Sequence, residues 1–198
     1  MYLLDWYLKR KIPKVIETYN YKVMHITDTP DVTFGFLKHI VRLVAPDVIV
    51  HTGDFVDNIK LQLSRKDIDI YERRFKQLLK VLRYTSVKQI IFCLGNHDDE
   101  NIVKEYLNEY EEVCISETYQ FENTVFSMSH YRDSCSTDSD ICLFGHSYEY
   151  DLEHRDSQTM LNGLDCIFVI DATSGSISRI PYPNDTDYYR QRKFKFGF

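Results

Sequence analysis

Val48-Ile49-Val50-His51-Thr52-Gly53-Asp54-Phe55-Val56-Asp57 decides how this chain is read: a β-rich run gives way to a glycine and a carboxylate, and a second carboxylate follows three residues on. The same order recurs along the chain. Residues 23–27 precede Asp28-Thr29-Pro30, and residues 89–94 precede Gly95-Asn96-His97-Asp98. A run over 118–128 precedes Ser129-His130, and residues 141–144 precede Gly145-His146-Ser147-Tyr148. Short apolar, β-rich runs bounded by turn residues read as strands. The motifs that follow them are expected to gather at one end of one sheet.

Helical patterns separate the first strands. Phe36, Leu37, Ile40, Val41 and Val44 recur at helical spacing, and Ala45-Pro46 closes that helix because a residue before proline is pushed out of the α region. Tyr71, Phe75, Leu78, Leu79 and Leu82 mark a longer amphipathic helix, and Ile102, Val103, Tyr106, Leu107 and Tyr110 mark another. After about residue 112 the pattern turns to strands over 112–115, 118–128, 141–144, 164–170 and 176–180. The chain begins βαβαβ and ends mostly β. That order predicts an α/β domain of two sheet layers with helices outside, and ligands in such folds collect beyond the carboxyl ends of the strands.

Composition fits one such domain. The chain has 198 residues, 43% apolar and 14% aromatic, enough to bury a single core. The expected organisation is one domain over 1–198, with 1–21 as an N-terminal extension and 181–198 as a basic-aromatic tail. Twenty-four basic against 30 acidic side chains leave a net charge of −6, which argues against broad nucleic-acid binding. Tyr188 to Phe196 interleaves basic and aromatic residues, a combination that can stack on bases. A final strand or chain terminus is the simpler reading, and nucleic acid is not the expected partner. The apolar stretch within the first 14 residues is too short and interrupted for a membrane span or a secretory segment. A cytoplasmic location is expected, with Trp6 and its neighbours packed on the domain. Five cysteines with no CxxC pair are expected mostly reduced, with Cys93, Cys142 and Cys166 as buried thiols.

The motifs offer carboxylate, amide oxygen and imidazole, donors that suit borderline divalent metals such as manganese, iron or zinc. A metal hydrolase is the leading expectation. In this order, Asp28-Thr29-Pro30, Gly53-Asp54-Phe55-Val56-Asp57, Gly95-Asn96-His97-Asp98, His130 and Gly145-His146-Ser147-Tyr148 resemble the calcineurin-like metallophosphoesterases. Their motifs run D-x-H, G-D-x-x-D, G-N-H-D/E, a lone H and G-H-x-H, and the resemblance covers roughly residues 22 to 180.

The resemblance implies a four-layered α/β/β/α sandwich of mixed sheets flanked by helices, and a two-metal site. Asp54 would bridge both ions, Asn96, His130 and His146 would complete the second ion's set, and Asp28 would hold the first. His97 would face the leaving group as general acid, Asp98 would orient it, and Asp57 would support the loop that presents Asp54. Paired cations stabilise the attacking and leaving oxygens of a phosphoryl displacement and make hydroxide available near neutral pH. The implied activity is hydrolysis of a phosphomonoester or phosphodiester by metal-activated hydroxide. Manganese leads among the ions, with iron, zinc and nickel also compatible and one or two ions per chain. The resemblance leaves a homodimer open.

The chain departs from the family at two positions. Pro30 and Tyr148 stand where histidines are expected, and both lost ligands belong to the first ion. One intact and one weakened site are therefore expected. Pro30 has no side-chain donor, whereas Tyr148 could ligate as a phenolate. Three outcomes follow: a phosphoesterase with a loosely held first ion, a one-ion enzyme, or a catalytically degenerate fold that serves as a protein-binding module, like the family's retromer scaffold subunit. The intact Gly95-Asn96-His97-Asp98 favours an enzyme. Substrate choice is expected to rest on loops over 60–69 and 133–140, and residues 181–187 read as a linker.

Other polar residues call for plainer roles. His25 and His51 sit inside strands and are expected to face a neighbour's hydroxyl or carbonyl, with His51 the reserve ligand. His39, on a helix, and His154, in a loop, are expected to be solvated, and Asp31 reads as a helix N-terminal acid.

Overall fold

The computed structural model describes residues 12–83, 87–148, 154–155 and 157–191. The N-terminal residues up to 11, with Trp6, and the tail from 192 onward lie outside the described residues.

The first sheet is built around β1 (Lys22–Ile26), β2 (Val48–His51), β3 (Gln89–Cys93) and β4 (Glu111–Cys114), with β1 to β4 parallel. β10 (Ile167–Asp171) and β11 (Ser176–Ile180) extend it antiparallel beyond β1, giving the order β11-β10-β1-β2-β3-β4. The second sheet joins β5 (Ser116–Phe121), β6 (Thr124–Ser129), β7 (Ile141–Phe144), β8 (His154–Arg155) and β9 (Gln158–Asn162) in the order β5-β6-β7-β9-β8. Within it β6, β7 and β9 run parallel.

β1 to β3 are buried on both faces, which is why they read as nearly continuous apolar runs. Val23, Val48, Val50, Ile91 and Cys93 point between the sheets and pack with Phe126, Met128, Ile141, Leu143, Phe168 and Ile170. Met24, Ile26, Ile49 and Phe92 face the opposite way, toward the helices. There α1 (Phe34–Val44) buries Phe34, Leu37, Ile40, Val41 and Val44, and α2 (Ile68–Leu82) buries Tyr71, Phe75, Leu78, Leu79, Val81 and Leu82. Each such burial contributes about 1.5–3 kcal/mol against exposure, so these two stripes fix both helices on the sheet. α1 ends where Ala45 turns to φ 47° and its N–H donates to the Val41 carbonyl at 2.9 Å. α3 (Glu100–Tyr106) starts on an Asp99 cap that accepts the Ile102 N–H at 3.1 Å, and α4 (Thr186–Gln191) follows β11 of the first sheet.

Mixed sheets flanked by helices make this an α/β fold. Outside the second sheet, the 3₁₀ turn Arg132–Ser134 and its loop place Cys135 on the outer face of β7 and β9 with Cys142, Phe144 and Met160.

Several local expectations are corrected. The motifs do not end strands of one sheet: β1, β2 and β3 deliver three of them, and β6 and β7 of the second sheet deliver His130 and His146. The run over 118–128 is a hairpin, broken at Glu122 (φ 50°) and Asn123. β9 escaped the pattern because polar Gln158, Thr159 and Asn162 flank its two apolar residues. His154 lies in a short strand rather than a loop. Cys142 is not a thiol. The loop after His130 folds back over β7, brings Cys135 within a Cα–Cα distance of 6.1 Å and bonds the two sulfurs, whereas Cys93, Cys114 and Cys166 are free. The linker and tail contain α4, so Tyr188 and Tyr189 are helical and Arg190 is only 3% exposed. Among the described residues no helix is long and apolar enough to cross a membrane.

Candidate metal centre

Parallel pairing continues past the strand ends and laces the first two motif loops together. The Asp28 N–H donates to the Gly53 carbonyl at 3.0 Å, Thr29 N–H to the Asp54 carbonyl at 3.1 Å, and Asp57 N–H to the Thr29 carbonyl at 3.2 Å. The Thr29 hydroxyl donates to the Phe55 carbonyl at 2.7 Å and lies 2.9 Å from His51 Nε2. The second sheet is tied to itself in the same way, the Gly145 N–H donating to the His130 carbonyl at 3.1 Å.

Three of the side chains these loops present stand on left-handed backbone: Asp28 (φ 47°), Asp54 (φ 53°) and His146 (φ 68°). Such conformations are costly for residues with a Cβ and concentrate at functional sites. Gly53, at φ 102°, makes room for the turn. A Cβ there would meet His130 Nδ1 at 2.5 Å and the Gly95 backbone at 2.8 Å.

His130 is the hub. It is fully buried, and its Nδ1–H donates to the Thr52 carbonyl at 2.8 Å, which leaves Nε2 as the ring's acceptor. Nε2 lies 3.0 Å from Asn96 Oδ1, 3.1 Å from His146 Nδ1 and 3.6 Å from Asp54 Oδ2. Asn96 is oriented by donating from Nδ2 to Gln62 Oε1 at 2.8 Å. One proton on His146 would satisfy one of these converging lone pairs; a cation satisfies all four. The donor set, two imidazoles, a carboxylate and an amide oxygen, matches what divalent transition ions take. The residues present therefore fit the metal that the motifs imply.

A second group lies alongside, with donor atoms of Asp54, Asp57 and His97 within 4.8 Å of one another. Asp28 is not part of it. Its Oδ2 accepts the Thr27 hydroxyl at 2.6 Å and the His146 N–H at 3.2 Å, so Asp28 supports His146 from behind. A cavity of about 110 Å³ opens between Asp28, Asp54, Asp57, Lys60, His146 and Tyr148. Burial pushes the Asp54 carboxyl well above the usual carboxylate range, and Asp28, Asp98 and Asp57 add repulsion. Burial and Asp28 likewise raise Asp57 to about 7, against the pull of Lys60.

His97 borders the cavity. Its N–H donates to Asp54 Oδ1 at 2.9 Å and its Nε2 stands 3.9 Å from Asp54 Oδ2. Burial, with the Lys60 ammonium nearby, holds this imidazole down to about 4. Asp98, expected to orient His97, is committed elsewhere. Its carboxylate accepts the N–H groups of Asp54 (2.8 Å), Phe55 (2.9 Å) and Gly95 (2.8 Å) and the Tyr71 hydroxyl (2.8 Å). Asp57, expected to support the Asp54 loop, directs its carboxylate to Lys60.

Tyr148 is not presented as a phenolate ligand. Its hydroxyl donates to Asp187 at 3.0 Å, and burial raises its pKa above the usual phenol value. Pro30 instead starts the 3₁₀ turn Asp31–Thr33, its carbonyl accepting the Thr33 hydroxyl at 2.7 Å, and Asp31 lies 2.9 Å from Arg74. His25 and His51 face hydroxyls, as their strand positions predict: each Nε2 lies 2.9 Å from a threonine Oγ1, Thr52 and Thr29 respectively.

Four supporting residues carried no motif signal. Tyr71 holds Asp98 from α2, and Asn162 Nδ2 donates to the Ser147 carbonyl at 2.7 Å. Lys60 reaches Asp57 from the next turn. Arg190 donates to the carbonyls of Asp28 (2.8 Å), Leu164 (2.9 Å) and Thr27 (3.3 Å). Lys60 lies outside the quoted motifs but close to one, three residues beyond Asp57.

Comparison with known proteins agrees with the fold. YfcE, a phosphoesterase from E. coli, superposes with a TM-score of 0.52 at 15% identity over 80% of this chain and 99% of its own. Vacuolar protein sorting 29 from Cryptosporidium parvum gives 0.42 at 12% identity, over 81% of this chain and 95% of its own. A single-site mutant of Vps29 from Entamoeba histolytica gives 0.41 at 14%, over 79% and 96%. A comparison with curated protein sequences finds no match. The calcineurin-like phosphoesterase profile matches residues 21–174, spanning every motif that builds the centre, and the chain belongs to that family.

Proposed function

We propose that this protein is a metal-dependent phosphoesterase that holds one divalent ion firmly and hydrolyses a phosphomonoester or phosphodiester. The observation that carries this reading is the convergence of Asn96 Oδ1, His146 Nδ1 and Asp54 Oδ2 on His130 Nε2, beside His97. Asp54, Asn96, His130 and His146 would hold the ion, manganese being the leading choice. When bound, such an ion would polarise a phosphoryl oxygen and lower the pKa of water.

The remaining chemistry falls to the chain. Thr52 fixes the His130 tautomer through its carbonyl, so that Nε2 faces the ligand cluster. Partners of this kind set the angle and basicity of a ligand imidazole. His97, anchored through its N–H to Asp54, is placed to give a proton to the departing alkoxide once the negative charge of a bound phosphate ester favours the imidazolium that burial opposes in the empty site, a step typically worth about 10²–10⁴-fold.

The test is a leaving-group series. His97→Ala should suppress manganese-dependent turnover by about 10²–10⁴-fold for alkyl phosphates and much less for p-nitrophenyl esters. Equal losses on both classes would remove His97 from the role of acid.

A further inference from the structure

Pro30 and Tyr148 deprive the first-ion side of the cavity of two ligands, yet three buried carboxylates, Asp28, Asp54 and Asp57, remain on it. Buried carboxylates without a counter-charge are costly. The chain supplies one. Lys60, only 17% exposed at its side chain, reaches into the cavity and pairs with Asp57, which is 3% exposed. Its reach is short and local, being one turn beyond Asp57 in the loop that also carries Asp54. The Arg190 guanidinium, which also lines the cavity, donates to the carbonyls of Asp28 and Leu164 and pairs with Asp187, the same carboxylate that takes the Tyr148 hydroxyl. Tyr148, one of the positions that lost a ligand, is thus bordered by the Arg190–Asp187 pair.

We infer that the Lys60 ammonium replaces, as a fixed charge, the positive charge of a first metal ion, and that it binds the phosphoryl group of the substrate beside the ion held by His130. This rests on the phosphoesterase reading above and deepens it: the ligand class is a phosphate anion recognised by one divalent ion plus one ammonium. Lys60 lines the same cavity as His97 and His146. An ammonium is a compact point charge on a flexible stem, suited to a tetrahedral anion without a demand for bidentate geometry.

The experiment uses manganese-loaded, dialysed protein. Metal per chain is read by elemental analysis, and affinity for inorganic phosphate by calorimetry. Wild type should hold near one manganese and bind phosphate. Lys60→Met and Lys60→Gln should keep that manganese and the wild-type circular dichroism while phosphate binding weakens tenfold or more, and Lys60→Arg should stay within about threefold of wild type, since both side chains carry the full charge. Undiminished phosphate binding in Lys60→Met or Lys60→Gln, with the manganese retained, overturns the inference. So does a wild-type content near two. Wild type that holds no manganese overturns the metal-centre reading instead, and the elemental analysis distinguishes the two failures.

Discussion

The Asp98 carboxylate accepts the backbone N–H of Asp54 at 2.8 Å, and so holds in place a residue whose own backbone stands at φ 53°. Three further donors, Phe55, Gly95 and the Tyr71 hydroxyl, complete its shell. In the proposed metal centre Asp98 thus holds the loop that presents Asp54, and its carboxylate is committed to these four donors. Asp98→Ala should weaken manganese binding by about 10–100-fold, as loss of a ligand's support does elsewhere. The loss should be the same for good and poor leaving groups once manganese is saturating. A variant with normal manganese affinity and a selective loss on poor leaving groups would return Asp98 to the role of orienting His97.

Tyr148 gives a contrasting expectation. Its hydroxyl is engaged by Asp187, and burial opposes the phenolate that a metal would need. Tyr148→Phe should leave manganese stoichiometry unchanged and turnover within about twofold, the range of a minor surface-polar change. A fall in bound metal would identify Tyr148 as a ligand after all.

Acid stability should report on His25. The ring is fully buried with Nε2 at 2.9 Å from Thr52 Oγ1, and burial holds it down to about 3, against ~6.5 in an unfolded chain. Because the folded value is depressed, the unfolded chain takes up the proton first as pH falls. The stabilisation is complete above pH ~6.5 and is lost as pH descends toward 3. At ~1.4 kcal/mol per tenfold change in proton activity, His25 should account for on the order of 3 kcal/mol between pH 6.5 and 4. His25→Gln should flatten that limb in urea titrations, leaving the net slope of the other shifted groups: His51 and His97, which burial also lowers, opposed by Asp54 and Asp57, whose raised values favour the folded chain as pH falls. An equally steep limb in the variant would show that His25 is not its source.

The parallel half of the fold was legible because β1 to β3 are buried on both faces and α1 and α2 on one, patterns that leave clean periods in sequence. The candidate ligand residues were legible because each follows a strand directly. Their supports were not. Tyr71 is a core-stripe residue of α2 whose hydroxyl happens to reach Asp98, and Arg190 arrives from 162 residues beyond Asp28. The assignment of the last two motifs to a second sheet depends on which strands pair, a non-local choice that strand periodicity does not encode. The Cys135–Cys142 bond is hidden for a similar reason: the seven-residue spacing signals nothing until the loop folds over β7.

The most direct test of the central claim combines metal content and hydrolysis on one preparation. Bound metal per chain is measured by elemental analysis after dialysis, then turnover of p-nitrophenyl and bis-p-nitrophenyl phosphate with added manganese. The account predicts near one ion per chain, and manganese-dependent turnover of at least one ester that disappears in Asp54→Ala and His130→Ala. A well-folded protein that retains no metal and hydrolyses neither ester would contradict it, and would favour a protein-binding role for the same fold.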